Sequence, residues 1–182
     1  MKRFLMAAVV AMTPVAAMAD GFCGVSDPAV VYERLAGSWV REGSTSVEGN
    51  VTSFVRPARM FATEIDNDGR FYSGFVDSIM GEDVALRWAE PKPYDVDRID
   101  DVLDTTVRTD FADLLSDTLC GPEGLPQLQV ALPEFDDGIT VFGTITLVPY
   151  FDDRVLETSE LTLKSDETVL FMTETVLLRP AE

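Results

Sequence analysis

The chain has 182 residues, of which 32 are acidic, 14 are basic and none is histidine, for a formal net charge of −18. A field of that sign repels phosphate backbones and anionic headgroups, which argues against nucleic acid and bare membrane surfaces as partners. The missing histidine removes Ser-His and Cys-His nucleophile pairs together with the commonest zinc and copper ligands.

Residues 1–19 have the form of a signal peptide: Lys2 and Arg3 open it, an apolar run follows, and Ala17-Met18-Ala19 has the small-x-small pattern of a cleavage site. Cleavage after Ala19 would leave residues 20–182 as a single exported domain, periplasmic or secreted. The leader's apolar run is too short to span a bilayer, and no later segment approaches the roughly 20 apolar residues that spanning needs, so no membrane insertion is expected. In an exported chain the two cysteines, Cys23 and Cys120, read as one disulfide. It would close a loop of about 100 residues, for which chain entropy alone predicts ~4–5 kcal/mol of stabilisation.

Ser26-Asp27-Pro28 marks a helix start, and Val30, Val31 and Leu35 give it an apolar stripe until Gly37 ends it. From Ser38 the period changes to two. Strands are expected at 38–48, 51–57, 59–66, 69–80 and 83–90, separated by turn residues such as Glu48-Gly49-Asn50 and Asp66-Asn67-Asp68-Gly69. Pro91 and Pro93 stop the run.

Over 95–119 the apolar residues Val96, Ile99, Leu103, Val107, Phe111, Leu114, Leu115 and Leu119 recur every three or four positions, which predicts a helical insertion. Its aspartates fall on the opposite, solvated face. Cys120-Gly121-Pro122 ends it. Alternation resumes at 127–132, 138–149, 154–163 and 167–179, joined by turns that include Asp136-Asp137-Gly138 and Asp152-Asp153.

Turns this tight make sequence neighbours pair antiparallel, so the expected fold is mainly β: a meander of eight or nine strands, preceded by a short helix and interrupted by the insertion. So many strands in one domain must cover their edges, and closing into a barrel does so. The faces of the last strand are mixed, with Glu174 among Leu170, Met172, Val176 and Leu178. That suits a lumen carrying a few polar groups, or a sheet partly covered on its second side.

Gly37-Ser38-Trp39, placed after a short helix and at the start of the first strand, resembles the Gly-x-Trp signature of the lipocalins and related calycin barrels. The resemblance implies a barrel with a ligand cavity, in which the tryptophan packs across the closed end and a basic residue of the last strand lies over its ring. Arg179 is that residue here, so Trp39 and Arg179 form the barrel-closing pair the resemblance implies. The helical insertion departs from the family's usual layout.

No Gly-rich phosphate loop and no GxSxG elbow is present. Glu174 and Asp77 alternate with apolar neighbours, as lumen-edge or paired carboxylates do. The loop Glu64-Ile65-Asp66-Asn67-Asp68-Gly69 imitates the start of a calcium loop, yet Phe75 stands where a bidentate Glu is required, and a hairpin turn explains it without metal. The reading is therefore a non-enzymatic binding protein without metal or cofactor, holding a small apolar or amphipathic ligand in its barrel. The alternative is an interaction or inhibitor module whose acidic loops engage a basic exported protein.

Overall fold

The computed structural model describes residues 21–92, 120–136, 138 and 140–182. The expected leader at 1–19 and the expected helical insertion at 95–119 lie outside the described residues. The first element is helix α1 (Pro28–Leu35). Asp27 caps it by accepting from the Ala29 N–H at 3.0 Å, proline fills its first turn, and Val31 and Leu35 are buried one turn apart. Ahead of it, the Phe22 N–H donates to the Tyr150 carbonyl and the Gly24 N–H to the Gly124 carbonyl, which ties the segment 22–24 to the far half of the chain.

Ten strands follow among the described residues: β1 (Gly37–Gly49), β2 (Ser53–Pro57), β3 (Thr63–Ile65), β4 (Arg70–Ser73), β5 (Val84–Ala85), β6 (Arg87–Ala89), β7 (Gln127–Asp136), β8 (Thr140–Phe151), β9 (Arg154–Lys164) and β10 (Val169–Pro180). All their pairings are antiparallel, in the order β5-β4-β3-β1-β10-β9-β8-β7-β6, with β2 paired to β1 beside this path. The two ends of the path, β5 and β6, are separated in the chain by Leu86 alone. One bent segment therefore pairs with β4 on one side and β7 on the other, and the sheet meets itself as a nearly closed barrel. Counting that segment once gives nine strands among the described residues, within the eight or nine that the sequence pattern predicts.

Among the described residues closure is complete at one end only. β3, β4 and the β5–β6 segment complete the ring beside Gly37–Trp39 of β1, whereas Ser44–Glu48 of β1 pair with β2. Among the described residues β2 pairs only with β1, and β7 beyond Gln129 pairs only with β8. The described residues thus form a barrel with a closed end, floored by α1, and an unclosed end between β2 and β7.

The stretch expected as one strand over 69–80 is instead β4 followed by a helix, α2 (Gly74–Met80). Phe71, Ser73 and Phe75 alternate as a strand would, but Ser73 caps a helix by accepting from the Val76 N–H at 3.2 Å. Gly81, at φ 69°, ends it in the left-handed conformation that its missing side chain permits.

Register assigns the two faces. Trp39, Arg41, Gly43, Thr45 and Val47 share the inner face with Leu178, Val176, Glu174 and Met172 of β10, and these in turn with Val155, Glu157, Ser159 and Leu161 of β9. Leu147 and Ile145 of β8 and Leu128 and Val130 of β7 complete the ring. These residues are buried, apart from the partly exposed Met172 and glycine, and each fully buried Leu or Val contributes roughly 1.5–3 kcal/mol. The outer face also carries one buried apolar row, Leu177, Leu156 and Val148.

Candidate functional site: a charge cluster inside the barrel

Alternation along β1 places Arg41 on the same face as Trp39, so its guanidinium must enter the barrel. There it meets two glutamates. Arg41 Nη2 donates to Glu157 Oε1 at 2.5 Å and to Glu174 Oε2 at 2.6 Å, Nε reaches Glu157 Oε2 at 3.4 Å, and Nη1 donates to the Arg59 carbonyl at 3.1 Å. Thr45 Oγ1 donates to Glu174 Oε1 at 2.7 Å, and Ser159 hydrogen-bonds Glu157. The Phe61 ring lies 5.8 Å from the guanidinium carbon.

Gly43 sets the spacing of the two strands that carry Arg41 and Glu174. It sits between Arg41 and Thr45 on the inner face, opposite Val176, and a Cβ there would overlap the Thr175 carbonyl oxygen. With no side chain at 43, β1 lies close against β10.

The three charged side chains are almost wholly buried, at 2% exposure for Arg41, 3% for Glu157 and 10% for Glu174. Burial by itself would lower the Arg41 pKa; the attraction of the two carboxylates overcomes this and holds the guanidinium above its ordinary value, so it stays charged. For Glu157 burial is the largest effect and pushes its pKa up, against the pull of Arg41. Among these three groups one cation faces two carboxylates, and Arg56, the register partner of Thr45 and so on the same inner face, is a second cation there.

Towards the unclosed end the inner face becomes apolar again. Val47, Leu161 and Leu132 are buried, Met172, Leu170 and Leu163 are partly exposed, and Phe54 of β2, opposite Val47, is 40% exposed. Two hollows also open on the outer face. One, of about 410 Å³, is lined by Gln129, Thr146 and Thr158 over Val148 and Leu156, with Lys92 and Glu160 also in its wall. The other, of about 510 Å³, carries Glu64, Asp66, Asp77, Glu82 and Asp83 around Arg70. Arg70 Nε donates to Asp83 Oδ2 at 2.6 Å, which holds the Asp83 carboxyl below its usual range.

The chain matches no family model, no curated protein and no solved structure.

Trp39 lies at the closed end, 5% exposed, and its indole N–H donates to the Leu35 carbonyl of α1 at 3.0 Å. Arg179 does not lie over that ring. Its register partner is Val40, on the outer face, and its Nε is 3.9 Å from Glu42 Oε2 at a half-exposed position. A last-strand basic residue shares a face with Trp39 only at the even-numbered positions of β10, and Arg179 is one residue out of that phase.

Cys23 and Cys120 are joined in a disulfide that spans 97 residues, with Cα atoms 5.9 Å apart. Glu174 is the paired inner-face carboxylate its neighbours suggest, whereas Asp77 lies exposed on α2. The loop after Glu64 is a turn: Asp66 Oδ1 accepts from the Asp68 and Arg70 N–H groups, and no group of three or more acidic or cysteine residues among the described residues is arranged to hold a metal ion. Sequence reasoning missed Arg41 and Glu157. The signal for Arg41 was its phase with Trp39; for Glu157 it was burial between Val155 and Leu161, which only the register across three strands reveals.

Proposed function

We propose that the chain is an exported, non-enzymatic binding protein of lipocalin-like build that holds a small apolar or amphipathic ligand at the unclosed end of its barrel. The observation that carries this reading is the partly exposed apolar surface of Phe54, Met172, Leu170 and Leu163, which lies on the inner face above a floor of buried charge. An apolar surface with a few convergent polar groups beneath it is the usual form of a small-ligand site. The leader-like residues 1–19 and the disulfide support export.

Native mass spectrometry of protein purified gently from its host, weighed before and after denaturation, tests the reading. An added mass released by denaturation is the expected result. A bare polypeptide that also fails to take up the apolar dye N-phenyl-1-naphthylamine overturns it.

A second reading, an interaction module for a basic exported partner, is favoured by the acidic hollow around Arg70. Such a complex would weaken steeply with salt. A partner whose affinity does not change with ionic strength would remove it.

A further inference from the structure

We infer that Arg56 of β2 receives the ligand's polar end, and that this end is the carboxylate of an amphipathic acid. The inference rests on the binding reading just proposed and names the class of molecule that would satisfy it.

The first argument is hydrogen bonding. Glu174, Thr45 and Arg56 form one row across β10, β1 and β2 on the inner face. Glu174 is engaged by Arg41 and Thr45, Glu157 by Arg41 and Ser159, and all three guanidinium nitrogens of Arg41 donate to protein acceptors. Of these four charged side chains Arg56 alone lacks a hydrogen-bond or ion-pair partner among the described residues, and its Nε is buried. A buried donor without an acceptor is costly, and an incoming acceptor recovers that cost. Nε and the neighbouring Nη form the edge of the guanidinium that the two coplanar oxygens of a carboxylate match. An ammonium head offers no acceptor, and a hydroxyl offers one oxygen where two are matched. A dianionic head would bring a second negative charge towards Glu174 in the same row, so a single charge fits better.

The second argument is position. The Phe54 ring lies 5.5 Å from the Arg56 guanidinium carbon and is 40% exposed on the same face. Phe54 stands one step nearer the unclosed end, opposite Val47, whose other register partner is Met172. A chain lying on Phe54 and Met172 therefore has its head at Arg56 and its tail towards the opening. The surrounding rim is also locally basic: residues 50–63 contain no acid, and their charged residues are Arg56 and Arg59, beside the exposed Val51, Val55 and Met60. The acidic chain as a whole repels anions at long range, so a preference for one has to arise from this short-range pairing.

Displacement of N-phenyl-1-naphthylamine from the full chain by dodecanoate, dodecanol and dodecylamine tests the inference. At pH 7 dodecanoate is expected to bind about tenfold or more tighter than dodecanol, and to keep that preference in 0.5 M sodium chloride, where the repulsion by the acidic exterior is screened. Arg56→Gln is expected to bring dodecanoate to within about threefold of dodecanol while dodecanol binding persists. Dodecanoate binding no tighter than dodecanol, or dodecylamine binding tighter than dodecanoate, overturns the inference and leaves the binding reading standing. So does an Arg56→Gln chain that keeps the full preference. Displacement by none of the three overturns the binding reading itself. Should Arg56→Gln fail to fold, the Arg56 Nε–H resonance of the unaltered chain decides the matter: a downfield shift on addition of dodecanoate is expected, and an unmoved resonance overturns the inference.

Discussion

Trp39 and Arg41 are neighbours on one face of one strand, yet they solve different problems. At the closed end Trp39 packs with Leu35 and Ile65 in an apolar core where volume decides, and its one polar atom finds the Leu35 carbonyl. Two residues along, Arg41 depends on carboxylates from two other strands at separations of 2.5 and 2.6 Å, so position decides. An apolar core tolerates side chains of similar size, whereas a slip of one residue in β9 or β10 would turn a glutamate to the outer face and strand the arginine. The closed end supplies stability, and the charge cluster specifies register.

The contrast can be broken at either side. Trp39→Ala should cost about 3–5 kcal/mol in urea denaturation, the loss expected for a large buried aromatic ring. Trp39→Phe should recover more than half of that; a Phe variant as unstable as the Ala variant would mean that the indole hydrogen bond, not volume, dominates. Arg41→Met should cost about 3–4 kcal/mol, because it leaves two buried carboxylates without their counter-ion, and Arg41→Lys should recover little because the bidentate geometry is lost. Near-complete rescue by lysine would show that charge alone suffices there.

Replacing both Cys23 and Cys120 by serine should cost about 2–4 kcal/mol, read as a lowered denaturation midpoint with the near-ultraviolet circular dichroism retained at 25 °C. Smaller, but more specific, is the effect of pH. The folded state raises the Glu157 pKa above its ordinary 4.5, so the fold binds that proton more tightly than the unfolded chain does. This contribution is fully present below pH 4.5 and is lost as pH rises through the folded-state value. Glu157→Gln should therefore flatten that part of the stability profile. A variant whose profile has the same slope would place the titration elsewhere. At the unclosed end, Phe171→Ser, at an outer position 56% exposed, should change stability by no more than about 0.5 kcal/mol.

The parts that could be read from the sequence are those governed by local chemistry. Asp27-Pro28 announces α1, the turns at Asp152-Asp153 and Ser165–Thr168 announce the last hairpins, and alternation locates β7 to β10 within a few residues. Glu174 could be recognised as an inner-face carboxylate from its apolar neighbours. Helix α2 was hidden because Phe75 continues the two-residue period of Phe71 and Ser73, and only the Ser73 cap and Gly81 betray it. The cluster was hidden for another reason: whether Arg41 meets Glu157 and Glu174 depends on how β1 lines up with the β9–β10 hairpin, at sequence separations of 116 and 133 residues, and no short window contains that alignment. The Arg179 expectation failed on the same ground, by one residue of phase.

The first and last strands of the chain are partners in the sheet, and that fixes the order in which the molecule can assemble. β1 finds its main neighbour only after β10 has been made, roughly 6–26 s later at ordinary rates of synthesis. Until then Arg41 has neither of its carboxylates, and the β1 backbone lacks its longest ladder. Native closure therefore waits for β10, and a chain without Val169–Pro180 would lose the central seam of the barrel rather than a dispensable segment.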